Sequence, residues 1–254
     1  MLRESVAQEL RHIVGQRNYL DSREDLLSYS YDSSVEEAVP EAVLLPSTTE
    51  QISEIMKTAC REAIPVTPRG AGTNLSGGTI PVNGGIVLAL TRMDRLIELN
   101  REDRYAVVQA GCVNLKLQNE AKKAGLFYPP DPASWSVSTL GGNVGENAGG
   151  PRGVKYGVTR DWILGLKVVL ADGRIITAGG VTNAANYVAG KVSPGEIIVI
   201  FGKDFGPAAL AGLQLANGKV ATEIGETRVL FDGVAAPMVY AVNGQISCVV
   251  PYEV

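Results

Sequence analysis

The sequence predicts two folds in succession: an α+β domain over residues 1–180 and a small β module over 181–254. Three observations carry this. Up to about Gly180, helical and strand-like hydrophobic periods alternate. From Val181 onward only short strand-like runs remain, separated by Gly, Asn and Asp turn pairs. Glycine is abundant, at 29 of 254 residues, or about 11% against an average near 7%, and many of the glycines gather in two segments.

Two amphipathic helices stand out in the first region. Ser47-Thr48-Thr49-Glu50 offers a capping box, with Ser47 and Glu50 three apart. Ile52, Ile55, Met56, Ala59 and Ala63 follow at helical spacing, and Cys60 sits on that stripe as a core residue. A second helix is expected from Asn114, burying Leu117, Ala121 and Ala124 and ending at Gly125. Between and around them lie strand-like runs at Ala42–Leu45, Ile64–Thr67, Gly85–Leu90 and Tyr105–Ala110. A further run, Ile163–Leu170, turns at Asp172-Gly173 into Arg174–Thr177 as a hairpin.

The second region offers strands at Ile197–Phe201, Arg228–Phe231, Met238–Val242 and Gln245–Val250. Asn217-Gly218, Asp232-Gly233 and Asn243-Gly244 supply hairpin turns. An immunoglobulin-type β-sandwich, with one edge unfinished, is the architecture this pattern suggests. Glu196, Asp204 and Asp232 read as turn and surface residues.

Composition excludes several function classes. Hydrophobic residues make up 45% and charged residues 20%, so the chain is globular. The net charge of −4 and a pI near 5.2 argue against a nucleic-acid partner. No apolar run approaches the ~18 residues of a membrane span, and Met1-Leu2-Arg3-Glu4 opens a charged segment with no secretory h-region; a cytoplasmic location is expected, although the second region points to export. Cys60, Cys112 and Cys248 lie far apart without a CxxC, so neither a disulfide framework nor a metal site is expected. One histidine, His12, cannot build a His cluster and reads as a helix-face residue.

The chemistry concentrates in two segments, Pro68-Arg69-Gly70-Ala71-Gly72-Thr73-Asn74-Leu75-Ser76-Gly77-Gly78 and Thr139-Leu140-Gly141-Gly142-Asn143-Val144-Gly145-Glu146-Asn147-Ala148-Gly149-Gly150. The first is not a Walker A loop, since no Gly-Lys-Ser/Thr follows. Nor is it a Rossmann fingerprint: Leu75 stands where the third small residue belongs, and Gly77, Gly78 and Pro81 forbid the helix that should follow. What remains is a strand running into an extended loop of free amides, a backbone nest for an anion such as a diphosphate. The alternative is a mobile surface loop. Asp131-Pro132-Ala133-Ser134 lies upstream of the second segment, and Arg152 and Lys155 are candidates to offset phosphate charge.

Those segments, followed by Lys155-Tyr156-Gly157-Val158-Thr159 and Val168-Val169-Leu170-Ala171-Asp172-Gly173, stand in the order and spacing of the FAD-linked oxidases. Residues ~5–178 resemble the FAD-binding domain of the vanillyl-alcohol oxidase / p-cresol methylhydroxylase (PCMH) type, in its glycolate oxidase D-subunit / D-lactate dehydrogenase branch. The resemblance implies two α+β subdomains with FAD between them. It implies that Pro68, Arg69, Gly70, Ala71, Gly72, Thr73, Asn74, Leu75, Ser76 and Gly77 cradle the pyrophosphate, helped by the amides of Gly141–Asn143. Thr139, Leu140, Gly141, Gly142, Asn143, Glu146, Asn147, Gly149 and Gly150 would line the flavin and ribityl side, with Pro132, Ser134, Gly157 and Val158 as further cofactor contacts. It also implies oxidation of a small-molecule 2-hydroxy acid by the flavin; with no histidine placed for attachment and no cysteine in a linkage motif, that flavin is expected to be non-covalent, His12 and Cys112 being the remote alternatives. Nothing after Ala178 resembles the family's closing "GSEGTLG" stretch or its substrate-holding domain, so little turnover is expected from these residues alone, and a partner subunit would supply the missing parts. No catalytic residue is assigned.

Residues 181–254 resemble an IPT/TIG-like Ig module of bacterial surface proteins, through Val181–Tyr187, Pro194–Ile197, Val229–Pro237 and Gln245–Tyr252. That resemblance implies a structural or adhesive role, and the junction near Gly179-Gly180 then joins two incomplete families, as in a chimeric gene.

Overall fold

The computed structural model describes residues 2–183, 197–202, 206–231, 234–243 and 245–252. Val181–Asn183 of the Val181–Tyr187 motif lie inside the described residues. The rest of that motif, Pro194–Glu196, Asp204, the Asp232-Gly233 turn and Gly244 lie outside them. The chain divides into two compact units: residues 1–162 with 169–174, and residues 163–168 with 175–254.

The first unit is built on a four-stranded sheet. Its elements are α1 (Glu4–Val14), β1 (Tyr19–Leu20), α2 (Arg23–Leu27), β2 (Ala42–Leu44), α3 (Thr49–Glu62), β3 (Val66–Arg69) and β4 (Ile86–Ala89). Strand order is β1-β2-β4-β3. Both β2 and β3 run parallel to the central β4, with Ala42 and Val66 opposite Ile86. α3 is therefore the crossover of a β-α-β unit, the connection that parallel strands require. Every residue of β4 is buried, as expected for a continuous apolar run covered on both faces. Val6, Leu10 and Val14 of α1 and Ile55 of α3 form one core with Leu44, Ile86 and Leu88. A smaller core, Cys112, Leu117 and Leu140, lies under the ribbon of β5 (Leu96–Asn100) and β6 (Tyr105–Val108) beside α4 (Asn114–Lys123).

Several expectations shift in detail. α3 is capped by Thr48, whose hydroxyl accepts from the Gln51 amide at 3.1 Å. Gln51 in turn accepts from the Ser47 amide at 2.8 Å. The box is one residue later than expected because Gln, like Glu, can close it. Cys60 is exposed, not packed in the core. α3 meets the core along Ile55 and Ala59, and Cys60 lies one step around the helix. Ala63 is exposed and ends the helix in the left-handed region, φ 52°. The strand expected at Ile64–Thr67 begins at Val66.

The second unit carries a six-stranded sheet of order β10-β15-β16-β9-β8-β7. These are β7 (Gly165–Val169), β8 (Ile175–Asn183), β9 (Ile197–Gly202), β10 (Ala211–Gly212), β15 (Met238–Val242) and β16 (Gln245–Val249). Two ribbons accompany it, β11 (Leu215–Ala216) with β12 (Lys219–Val220), and β13 (Leu230–Phe231) with β14 (Val234–Ala235). The β11–β12 turn is Asn217-Gly218, both at positive φ, the geometry a tight hairpin demands. The core of this unit is Ile198, Met238, Ala241, Ile246, Cys248 and Val250. The junction expected near Gly180 falls inside β8, which pairs antiparallel with β9.

Among the described residues, no helix is long and apolar enough to cross a membrane, and no group of three His, Cys, Asp or Glu side chains could hold a metal ion.

Candidate functional site: two glycine segments in the first unit

Strand β3 ends at Arg69, and the chain then leaves the sheet. No backbone amide from Gly70 to Ser76 donates to an acceptor among the described residues. A run of consecutive amides without protein acceptors is open to an anion as well as to water.

Bare backbone is required at two points of this loop. A Cβ on Gly70 would stand 2.2 Å from Thr139 Oγ1. Gly72 has φ +68°, and a Cβ there would stand 2.2 Å from Arg69 Nη2. The first contact brings the start of the first segment against the start of the second. The second shows the Arg69 head folded beneath its own loop.

Arg69 is only 6% exposed. Its guanidinium lies over the Tyr29 ring at 5.7 Å and donates to Thr79 Oγ1 at 3.3 Å. Among the described residues it forms no ion pair. Burial pushes its pKa down, while nearby Asp32 pushes back, and a guanidinium stays charged regardless. A buried cation with no direct ion pair is costly, and an arriving anion would relieve that cost.

The second segment, expected as a loop, begins with a short helix, α5 (Leu140–Gly145). Thr139 caps it, accepting from the Gly142 amide at 3.2 Å. The Leu140 amide donates to Cys112 O, Gly141 to Ala110 O and Asn143 to Thr139 O. The amides of Gly141–Asn143 are therefore committed within the protein. Side chains are what remain here: Asn143 Nδ2, and Ser138 Oγ just before the segment, are buried with no hydrogen-bond partner among the described residues, and a buried polar atom left so calls for one.

One direct bond links the segments further out, where Ser76 Oγ donates to the Glu146 carboxylate, 2.9 and 3.0 Å from its two oxygens. Pro132 is buried and Ser134 half-buried. Asp131 accepts from the Arg152 amide at 3.0 Å and pairs with its guanidinium, which also lies over Phe127. Arg152, a candidate for phosphate charge, is thus already engaged, and Lys155 lies over the Tyr156 ring at 4.9 Å. Asn147 accepts from the Arg160 amide, Thr159 donates to Ala148 O, and Gly149 packs against Val158, so residues 147–150 and 157–160 form one corner. Gly157 packs on Asp161, which accepts from the Val158 amide. Pro68, Ala71 and Leu75 are exposed, while Thr73 and Gly77 are half-buried.

His12 is exposed on α1. Cys112 is fully buried, and burial pushes its thiol pKa up. The sequence reading passed over Asp32, a buried carboxylate 42 residues from Asn74 in the chain, whose Oδ2 accepts from Asn74 Nδ2 at 2.6 Å.

Residues 40–179 match the family described as FAD binding domain. The chain belongs to that family. Its cofactor is accordingly FAD, and the free amides, the unpaired Arg69 and the orphaned Asn143 amide suit a ligand carrying a diphosphate and further acceptors. The chain is 45% identical over 191 residues to glycolate oxidase subunit GlcD of Bacillus subtilis (strain 168), covering 75% of this chain and 40% of that protein. It is 41% identical over 142 residues to D-lactate dehydrogenase of Anaerostipes hadrus, covering 56% and 30%. It therefore spans well under half the length of these relatives. Among solved structures, p-cresol methylhydroxylase superposes with a TM-score of 0.62 at 21% identity, over 97% of this chain and 43% of that one. Alkyldihydroxyacetonephosphate synthase gives 0.65 at 21% identity, over 83% and 45%. These likenesses establish the PCMH-type mixed α/β fold.

Proposed function

We propose that this chain is the FAD-holding part of a 2-hydroxy acid oxidoreductase of the glycolate oxidase / D-lactate dehydrogenase type. The observation that carries the reading is the run of free amides from Gly70 to Ser76 beside the buried, unpaired Arg69. These hold the diphosphate. Thr139, Asn143 and Glu146 belong to the facing wall, and Asn143 Nδ2 donates to the flavin or ribityl side. Gly149, Gly150, Gly157 and Val158 close the far corner, with Pro132 and Ser134 beside it. Bound FAD supplies the hydride acceptor, and the protein supplies binding and orientation.

Attachment is non-covalent: His12 is exposed on a helix remote in sequence from both segments, and the Cys112 thiol is buried. Full-length relatives would add the groups that hold the substrate carboxylate and take its proton, either in the same chain or on a partner subunit. These residues alone should therefore bind FAD without reacting with glycolate or D-lactate. Titration of FAD fluorescence against the apo-protein tests the reading, and saturable quenching is expected. Acid precipitation should then release all the flavin to the supernatant, and anaerobic glycolate should leave the flavin band unbleached. No saturable binding would sink the proposal.

We read the strands from Ile197 onward as an Ig-like module of the IPT/TIG kind with a structural role. The separate core around Ile198, Met238 and Cys248 favours this. Loss of that core by Met238→Asp should leave FAD binding in place; a parallel loss of binding would count against a separate role.

A further inference from the structure

Asp32 lies outside the residues matched to the family and outside both glycine segments. It is 7% exposed. Its Oδ1 accepts from the Ser34 amide at 2.7 Å and its Oδ2 from Asn74 Nδ2 at 2.6 Å. The nearby Gly77 amide also favours its charged form. Alongside, the Ser33 amide donates to Asn74 O at 3.0 Å. Residues 32–34 thus grip the middle of the first glycine segment from a separate stretch of chain.

The grip continues inward. With Nδ2 committed to Asp32, the Asn74 amide has one orientation, and its Oδ1 accepts from Thr79 Oγ1 at 3.1 Å. Thr79 Oγ1 in turn accepts from Arg69 Nη1 at 3.3 Å. The order Asp32, Asn74, Thr79, Arg69 fixes both ends of the loop. It also keeps the carboxylate off the guanidinium. A carboxylate paired directly with Arg69 would satisfy the charge that a diphosphate is to meet and would have to be displaced. Acting through Asn74 and Thr79, Asp32 orders the loop while leaving the amides from Gly70 to Ser76 unoccupied.

We propose that Asp32 is a positioning residue for the diphosphate cradle: it fixes the loop through Asn74 and does not touch the ligand. This rests on the reading that the first glycine segment holds the diphosphate of FAD. Part of the binding energy is then spent before the ligand arrives, which is the advantage of preorganisation.

The test uses the whole chain with Asp32→Asn, Asn74→Ala and the double variant, titrated with FAD and with ADP as the diphosphate probe. Asp32→Asn retains the acceptor for Ser34 but turns a donor toward Asn74 Nδ2. Each single variant is expected to weaken both ligands about tenfold, and the double variant to be no more than about twofold weaker than either single, since both act on one link. Melting temperatures should stay within about 4 °C of wild type. In the apo-protein, trypsin should cut after Arg69 at least fivefold faster in Asp32→Asn, with cleavage at the exposed Arg104 unchanged. Wild-type affinity in Asp32→Asn, or multiplicative losses in the double variant, would overturn the proposal. A wild-type chain that binds neither ligand would overturn the cradle reading and the ligand role of Asp32 with it. The trypsin comparison then decides on its own whether Asp32 anchors the loop, and an unchanged rate after Arg69 would remove the anchor as well.

Discussion

The two glycine segments look alike in composition and behave oppositely in the fold. The second satisfies its own backbone: Thr139 caps a helical turn, and the amides of Leu140, Gly141 and Asn143 all find carbonyls. The first leaves its amides open from Gly70 to Ser76 and is held by side chains instead, through Asp32, Asn74, Thr79 and Glu146. Glycine serves close approach in both. Gly70 admits Thr139, and Gly141 sits where a Cβ would be 2.7 Å from Ala110 Cβ. The difference lies in what is left for a ligand: backbone donors in one segment, the Asn143 side chain in the other. A glycine-rich sequence therefore does not by itself say which of its amides are free.

The sharpest way to break this contrast is at Gly72. Valine there would need a left-handed φ, which a β-branched residue avoids, and its Cβ would collide with the Arg69 head. FAD affinity should fall at least 100-fold in Gly72→Val, with the circular dichroism spectrum unchanged. The matching change in the second segment is Gly145→Ala, where a Cβ meets nothing within 4 Å. It replaces a helical glycine, so it should hold or raise stability, by up to ~1 kcal/mol, and leave FAD binding alone. Equal losses from both would erase the distinction.

Acidity should act on the first segment through Asp32. Burial pushes the pKa of Asp32 up, but its hydrogen bonds with Ser34, Asn74 and Gly77 outweigh that and hold it below the usual value of 3.8. A depressed folded-state pKa means the carboxylate's contribution is present above the unfolded value and is lost as pH falls through the folded one. FAD affinity should therefore be flat between about pH 7.5 and 5 and decline below about 4. Asp32→Asn, weak throughout, should show no such acid limb. A wild-type decline already complete at pH 5 would mean that another group controls the loop.

Much of the framework was legible in the sequence, for reasons that particular residues make plain. The run Gly85–Leu90 announces a strand, and β4, buried along its whole length, is one. Helical spacing finds α3 and α4, while cap chemistry finds their starts only to within a residue, since Thr48 and Gln51 serve as well as Ser47 and Glu50. Periodicity cannot tell which side of an apolar stripe faces inward, and so it misplaced Cys60. α5 was hidden because Gly141, Gly142 and Gly145 argue against a helix, and its stability comes from Thr139 and from tertiary contacts with Ala110 and Cys112. Asp32 was hidden more deeply. Nothing local marks an acidic residue as the partner of an asparagine 42 positions away; only the fold brings them together.

Within the second segment, Thr139 is the residue to test next. Its hydroxyl both caps α5 and touches Gly70. Thr139→Ala removes a cap typically worth ~1 kcal/mol and should lower FAD affinity about fivefold, less than Gly72→Val because the free amides of the first segment remain. Thr139→Ser, which keeps the hydroxyl, should recover most of that loss. Failure of serine to do so would show that packing against Gly70, and not the cap, is what matters.

The smallest effect is expected where the two segments are bonded most directly. Ser76 Oγ lies 2.9 and 3.0 Å from the Glu146 oxygens, but both residues are exposed. Water competes for such a bond, so its net worth is at most ~1 kcal/mol. The same hydroxyl accepts from the Gly78 amide at 3.3 Å and from Asn74 Nδ2 at 3.3 Å, both long bonds. Ser76→Ala should therefore change FAD affinity less than threefold, and Glu146→Gln, whose amide oxygen can still accept from Ser76, less than twofold. Buried anchoring at Asp32 and exposed bridging at Glu146 would then be separated by measurement, although both are carboxylates bonded to the same loop. A tenfold loss in Glu146→Gln would reverse that order and make the charge facing the first segment, not the hidden one behind it, the feature that organises the cradle.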